Sequence, residues 1–121
     1  MTALAGAGTV VCPLDRIPRE SGVAALVAGE AVAVFRTHDD RVFALSNFDP
    51  VGRASVLSRG IVGTRGEDDV PFVASPLLKQ RFDLHTGACL DDPAVAVPTW
   101  EVRVVDAMVV VGSRRETLGA W

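Results

Sequence analysis

The chain has no tyrosine, one lysine (Lys79), two cysteines, two histidines and no apolar run of membrane-spanning length. Each shortage removes a class of function. With a single lysine and a net charge of −3, a surface that tracks phosphates would have to be built from scattered arginines, which argues against a nucleic-acid partner. Without a run of about 20 apolar residues, no helical membrane span is expected. Cys12 and Cys89 are too few for a disulfide framework, and the apolar content is high enough that no such staple is required. The start, 1–11, is small and apolar but has neither the positive region nor the long apolar stretch of a secretory signal, so the cytosol is the default compartment.

What is present points to strands. The chain is 121 residues long and 49% hydrophobic, rich in Val and Ala, a length and composition suited to one domain with one buried core. Residues 31–36 and 41–46 are Val- and Phe-rich runs across Thr37-His38-Asp39-Asp40, which predicts a hairpin. A second hairpin is predicted from 100–105 and 108–111 across Asp106-Ala107. Short strands are also expected at 9–12, 70–74 and 80–84, with Pro13 ending the first. Residues 21–27 read equally as a weak helix capped by Ser21 or as extended chain. The stretch 47–69, with Gly52, Gly60, Gly63 and Gly66 among Arg53, Arg59 and Arg65, has the composition of a surface loop. The expectation is an all-β, small antiparallel sandwich or barrel forming one domain over 1–121, with 1–8 and 113–121 as frayed tails.

Candidate sites fail on spacing. Two Cys and two His match the inventory of a zinc site or a Rieske cluster, but Cys12 is followed by Pro13-Leu14-Asp15 and Cys89 by Leu90-Asp91-Asp92, so neither opens a Cys-to-His clip. Both thiols are expected to serve as small hydrophobes. Thr86-Gly87 makes a turn between His85 and Cys89, which argues against a nucleophile pair, and His85 and His38 read as polar turn residues. The carboxylates Asp39-Asp40, Glu67-Asp68-Asp69 and Asp91-Asp92 fall in predicted loops without the alternation of a calcium loop. The Gly-rich run at 60–66 lacks the Gly-Lys-Ser/Thr ending of a phosphate cradle. No catalytic or metal residue is expected on this chain.

Two segments carry a family likeness. Asn47-Phe48-Asp49-Pro50-Val51 followed by Leu57-Ser58-Arg59-Gly60 resembles the first cluster-binding segment of Rieske domains. Ser75-Pro76-Leu77-Leu78 followed by Phe82-Asp83-Leu84-His85-Thr86-Gly87 resembles the second. On this matching Asp49, Val51, Ser75 and Leu78 stand where the two Cys–His ligand pairs would be, and one carboxylate, one hydroxyl and two hydrocarbons cannot replace two thiolates and two imidazoles. With Cys89-Leu90-Asp91-Asp92 ahead of Val95 and Val97, the segments taken in order, over 9–112, resemble the small subunits of NAD(P)H-dependent assimilatory nitrite reductase.

The resemblance implies a Rieske-like fold without a cluster and a cytoplasmic, non-catalytic subunit of an enzyme reducing nitrite to ammonium. It also implies a large-subunit partner that carries the FAD, [4Fe-4S] and siroheme groups. The two loop tips then become the expected docking face, with Arg59, Lys79 and Arg81 supplying charge-assisted bonds around Val51, Leu77 and Leu78. Leu78 could equally fill the space a cluster would leave. The competing class is a free-standing Rieske-like binding or regulatory module with no redox role.

Overall fold

In the computed structural model, which describes residues 8–67 and 69–115, the chain is a run of eleven strands with two single-turn 3-10 segments. Six strands form one antiparallel sheet in the order β1-β11-β10-β4-β3-β2: β1 (Thr9–Pro13), β2 (Ser21–Val27), β3 (Glu30–Arg36), β4 (Val42–Ser46), β10 (Thr99–Val105) and β11 (Met108–Arg115). β5 (Phe48–Asp49) pairs with β6 (Ala54–Ser55), and β7 (Ile61–Arg65), β8 (Val70–Ala74) and β9 (Arg81–Asp83) make a three-stranded sheet.

The hairpins follow from turn chemistry. Asp106 and Ala107 both take positive φ, 50° and 67°, and Ala28-Gly29 takes 50° and 82°, so each two-residue loop twists in the sense its strands need. Between β3 and β4 the loop closes with Asp40 at φ 67°, Thr37 N–H donating to Arg41 C=O at 2.9 Å and Phe35 opposite Phe43. Residues 21–27 settle as β2, in full register with β3 from Ser21–Arg36 to Val27–Glu30. The β-branched and small residues of that segment gain a complete ladder there, which outweighs a weak helix preference.

Two expectations are corrected. The stretch 47–69 is not one loop, since Ile61–Arg65 is a strand paired along its length with β8, Gly63 facing the Phe72 ring. The Gly-rich run at 60–66 is accordingly divided among a turn, a strand and a second turn. Gly60 itself is a packing residue, because a Cβ there would lie 2.4 Å from the Ala74 carbonyl oxygen. Strand β11 continues through Ser113, Arg114 and Arg115. The remaining tail expectations, 1–7 and 116–121, lie outside the described residues.

β3 is buried on both faces and divides the interior. Val32 and Val34 point into a cluster inside the curl of the six-stranded sheet, with Ile17, Val27, Ala44, Trp100, Val109 and Val111. Ala33 and Phe35 point the other way, onto Leu45, Leu57, Val62, Val73, Phe82, Leu84, Cys89 and Val97. This second cluster glues the small sheet to the large one, so the loops that leave the small sheet and β5 are held on a rigid base.

Candidate functional site

The site is a pair of loops, Asp49-Pro50-Val51-Gly52-Arg53 after β5 and Ser75-Pro76-Leu77-Leu78-Lys79 after β8. Asn47, 5% exposed, braces the first: its side-chain amide donates to Ser55 C=O at 3.2 Å and its side-chain oxygen accepts from Ser58 N–H at 2.7 Å. In the second, Ser75 N–H donates to Gln80 C=O at 2.9 Å as the chain turns into β9.

The first member of each loop is fully buried, and the two meet. Ser75 Oγ–H donates to Asp49 Oδ2 at 2.5 Å, both residues being 0% exposed. Asp49 Oδ1 accepts from the N–H groups of Val51 (2.8 Å) and Gly52 (3.0 Å), while Ser75 Oγ accepts from Leu77 N–H at 3.2 Å. The buried carboxylate is thereby satisfied by three donors and draws both loops onto one point. Leu77 lies over Gly52, where a Cβ would fall 2.6 Å from Leu77 Cδ1 and 2.8 Å from Asp49 Oδ2. Gly52 is thus required for close approach.

These contacts decide whether an iron–sulfur cluster fits. Asp49 and Ser75, at the two positions matched to thiolates, are bonded to each other, and Val51 and Leu78, at the two matched to imidazoles, have no donor atom. The residues do not fit the group, and no electron-transfer step can be derived through this chain. Leu78 does not fill the interior either. It is 58% exposed, and the space between the loops is taken by the Asp49–Ser75 bond and the side chain of Leu77. Among the described residues, no three His, Cys, Asp or Glu side chains come together as a metal site, and no helix is long and apolar enough to cross a membrane.

Arg59 and Lys79 are exposed and Val51 is half-buried. Arg81 is held at the base of the second loop by Asp91, with Nη2 at 2.6 Å from Oδ1 and Nε at 3.2 Å from Oδ2, and it lies over the Phe72 ring. The Arg81 hydrogen bonds hold the Asp91 carboxyl well below the usual range, at about 2. Asp39, which accepts from Thr37 and Arg41, is also lowered to about 2. Asp39, Asp40 and Asp91 are thus ion-pair partners of arginines rather than merely solvated charges. Cys89 is buried in the core, Cys12 is half-buried and both are free. His85 is an exposed turn residue whose ring meets Phe43 edge-on at 6.1 Å. His38 is exposed in the β3–β4 loop.

Sequence reasoning missed three contributors to this end of the molecule. Phe48 (44% exposed) and Ile61 (69%) add apolar surface next to the two loops, and Arg53 closes the first. Phe48 could have been found from alternation, since its neighbour Asp49 points inward.

The family model for the Rieske-like [2Fe-2S] domain matches residues 9–112. The nitrite reductase (NADH) small subunit of Escherichia coli K12 is 48% identical over 101 residues, covering 82% of this chain and 91% of that one. The nitrite reductase [NAD(P)H] large subunit of Klebsiella oxytoca is 41% identical over 105 residues, covering 87% of this chain but 11% of that protein, so there the same segment is part of the large-subunit polypeptide. A Mycobacterium tuberculosis crystal structure assigned as an NADH-dependent nitrite reductase small subunit superposes with a TM-score of 0.81 at 42% identity, covering 91% of this chain and 96% of that one.

Proposed function

Because this chain belongs to the Rieske-like [2Fe-2S] domain family, among the small subunits of nitrite reductase, we propose that it is a non-catalytic subunit of a cytoplasmic NAD(P)H-dependent nitrite reductase. It docks on the large subunit through its two loop tips. The observation that carries this reading is the Klebsiella oxytoca relative, in which an equivalent of this domain is covalently part of the large subunit. A domain found tethered in one protein and separate in another is expected to bind in trans what it otherwise meets in cis.

The chemistry of the complex falls to the partner. In this reading the flavin, iron–sulfur and siroheme groups sit on the large subunit, and this chain supplies contacts. Leu77 and Leu78 present an apolar centre, half-buried Val51 adds to it from the first loop, and Arg59 and Lys79 stand at the edge. Arg81 contributes indirectly, by fixing the base of the second loop against Asp91. Replacing Leu77 and Arg59 together by Ala is expected to weaken large-subunit binding at least tenfold with no loss of folded protein by circular dichroism. Unchanged affinity would remove the tips as the docking face.

The reading is tested by a native pull-down of the tagged chain from its own cells grown on nitrate, the eluate assayed for siroheme absorption and nitrite reduction. Co-elution of both supports the subunit. A colourless, solitary protein would leave the fold standing and favour a free-standing binding module.

A further inference from the structure

The two loops are built alike, and each ends on a cation in an unusual backbone conformation. In both, a buried oxygen-bearing residue is followed by Pro, and the N–H of the fifth residue donates to the carbonyl of the first: Arg53 to Asp49 at 2.7 Å and Lys79 to Ser75 at 3.1 Å. Both closing residues are left-handed, Arg53 at φ 62° and Lys79 at φ 63°. Glycine is the residue this conformation favours, because an L side chain crowds the following carbonyl there. Of the eight described non-glycine residues with positive φ, Arg53 and Lys79 are the two cations, and their use at corresponding positions of two matched loops is a pointer to function.

The charge distribution supports that pointer. Arg19, Arg36, Arg41, Arg81 and Arg114 each hold a carboxylate. Arg53, Arg59 and Lys79 are exposed and make no ion pair with a described residue. Within 47–61 and 75–80 the one carboxylate is Asp49, which is buried against Ser75. In a chain with net charge −3, the two segments that hold the exposed Leu77 and Leu78 and their partner loop therefore carry three exposed cations and no exposed carboxylate.

We propose that the paired tips form a cationic clamp for a carboxylate-rich surface of the large subunit, with Leu77 and Leu78 entering an apolar recess and Arg53, Arg59 and Lys79 pairing with the acidic groups around it. The proposal rests on the docking reading above and adds the chemistry of the surface that is recognised. Opposite potentials on the two partners would steer their encounter, so the association rate should carry the signature. The apolar centre favours a protein surface over a phosphate backbone, which would leave the two leucines without a partner.

The test uses the full chain and its separately purified large subunit. Association rates are measured across a salt series for the wild type and for R53G/K79G, with thermal unfolding of each small subunit alongside. Glycine suits both left-handed positions, so R53G/K79G is expected to melt at or above the wild-type temperature while associating about tenfold more slowly at low salt. The wild-type rate is expected to fall steeply with added salt. R53G/K79G associating like the wild type, or a wild-type rate indifferent to salt, overturns the clamp while leaving docking in place. No wild-type binding at any salt defeats the docking reading and the clamp together. Equal or tighter binding of the wild type to a single-stranded RNA homopolymer, abolished in R53G/K79G, would reassign the cations to an anionic polymer and also overturn the proposal.

Discussion

Replacing Ser75 by Ala removes one hydroxyl from a fully buried site, and the loss can be sized from its two hydrogen bonds. The Asp49 carboxylate gives up the donor at 2.5 Å and keeps the N–H groups of Val51 and Gly52. A buried hydrogen bond to a carboxylate is worth about 1.5–3 kcal/mol. Leu77 N–H loses its acceptor at 3.2 Å, but Leu77 is 46% exposed, so water can serve it and the added cost is small. The expected total is about 2 kcal/mol. At about 2.1 cal/mol/K per residue, the unfolding entropy of a chain this long is about 0.25 kcal/mol/K, and the melting temperature should fall by about 8 °C. Urea unfolding should show the lower midpoint with an unchanged slope, since the loss is local. Asp49→Ala, which strips all three bonds, should cost more, and the double variant should fall short of the sum by about 1.5 kcal/mol. Ser75→Ala within about 0.5 kcal/mol of the wild type, with an additive cycle, would refute the claim that this bond ties the loops.

Two further predictions concern the frame around the loops. Gly87 and Gly29 have nearly the same φ, 81° and 82°, but a Cβ at Gly87 would sit 2.1 Å from the Val97 carbonyl oxygen whereas at Gly29 it would meet nothing within 4 Å. Gly29→Ala should therefore cost about 1 kcal/mol for the backbone alone, and Gly87→Ala at least about 3 kcal/mol because it also displaces the backbone at Val97; equal losses by urea unfolding would contradict this. The Arg81–Asp91 tie fixes a pH window. Asp91 titrates at about 2 when folded, against about 3.9 unfolded, so its contribution is complete above pH about 4 and disappears as pH falls through the folded value. Side-chain NMR titration should give a midpoint near 2 for Asp91, and Arg81→Ala should return it toward the ordinary carboxylate range.

The strands were legible where one local signal sufficed. Both predicted hairpins were marked by β-branched runs flanking Asp-containing turns, and the structure closes them at Asp40 and at Asp106-Ala107. Ile61–Arg65 was not legible, because a strand of Ile, Val, Gly, Thr and Arg set among glycines has the composition of a loop until its partner β8 is known. The frame of the site could be read from Asn47, Asp49, Gly60, Ser75 and Gly87, each of which has a backbone reason to persist. Its interior could not. Asp49 and Ser75 are 26 positions apart, and nothing in either loop announces that the other will arrive within hydrogen-bond distance. The left-handed turns at Arg53 and Lys79 were hidden for a related reason, since a loop closed by glycine declares its conformation and one closed by a cation does not.

The bond between Asp49 and Ser75 also accounts for how a Rieske-like frame persists without its metal. In a cluster-bearing domain the two loops are joined through the irons, and their relative position depends on an inserted group. Here carboxylate and hydroxyl oxygens occupy the two matched thiolate positions and join the loops directly, and each also caps its own turn through the N–H two residues on. The tie therefore assembles with the fold. The positions matched to imidazoles, relieved of any ligand duty, carry Val51 and Leu78, and Leu78 turns outward to 58% exposure. Burying that leucine in the gap would have displaced the bonded oxygens and left a carboxylate unsatisfied, a loss of several kcal/mol that outweighs the roughly 2 kcal/mol gained by covering one leucine. The same arithmetic that keeps Asp49 and Ser75 inside thus places Leu78 where a partner can reach it.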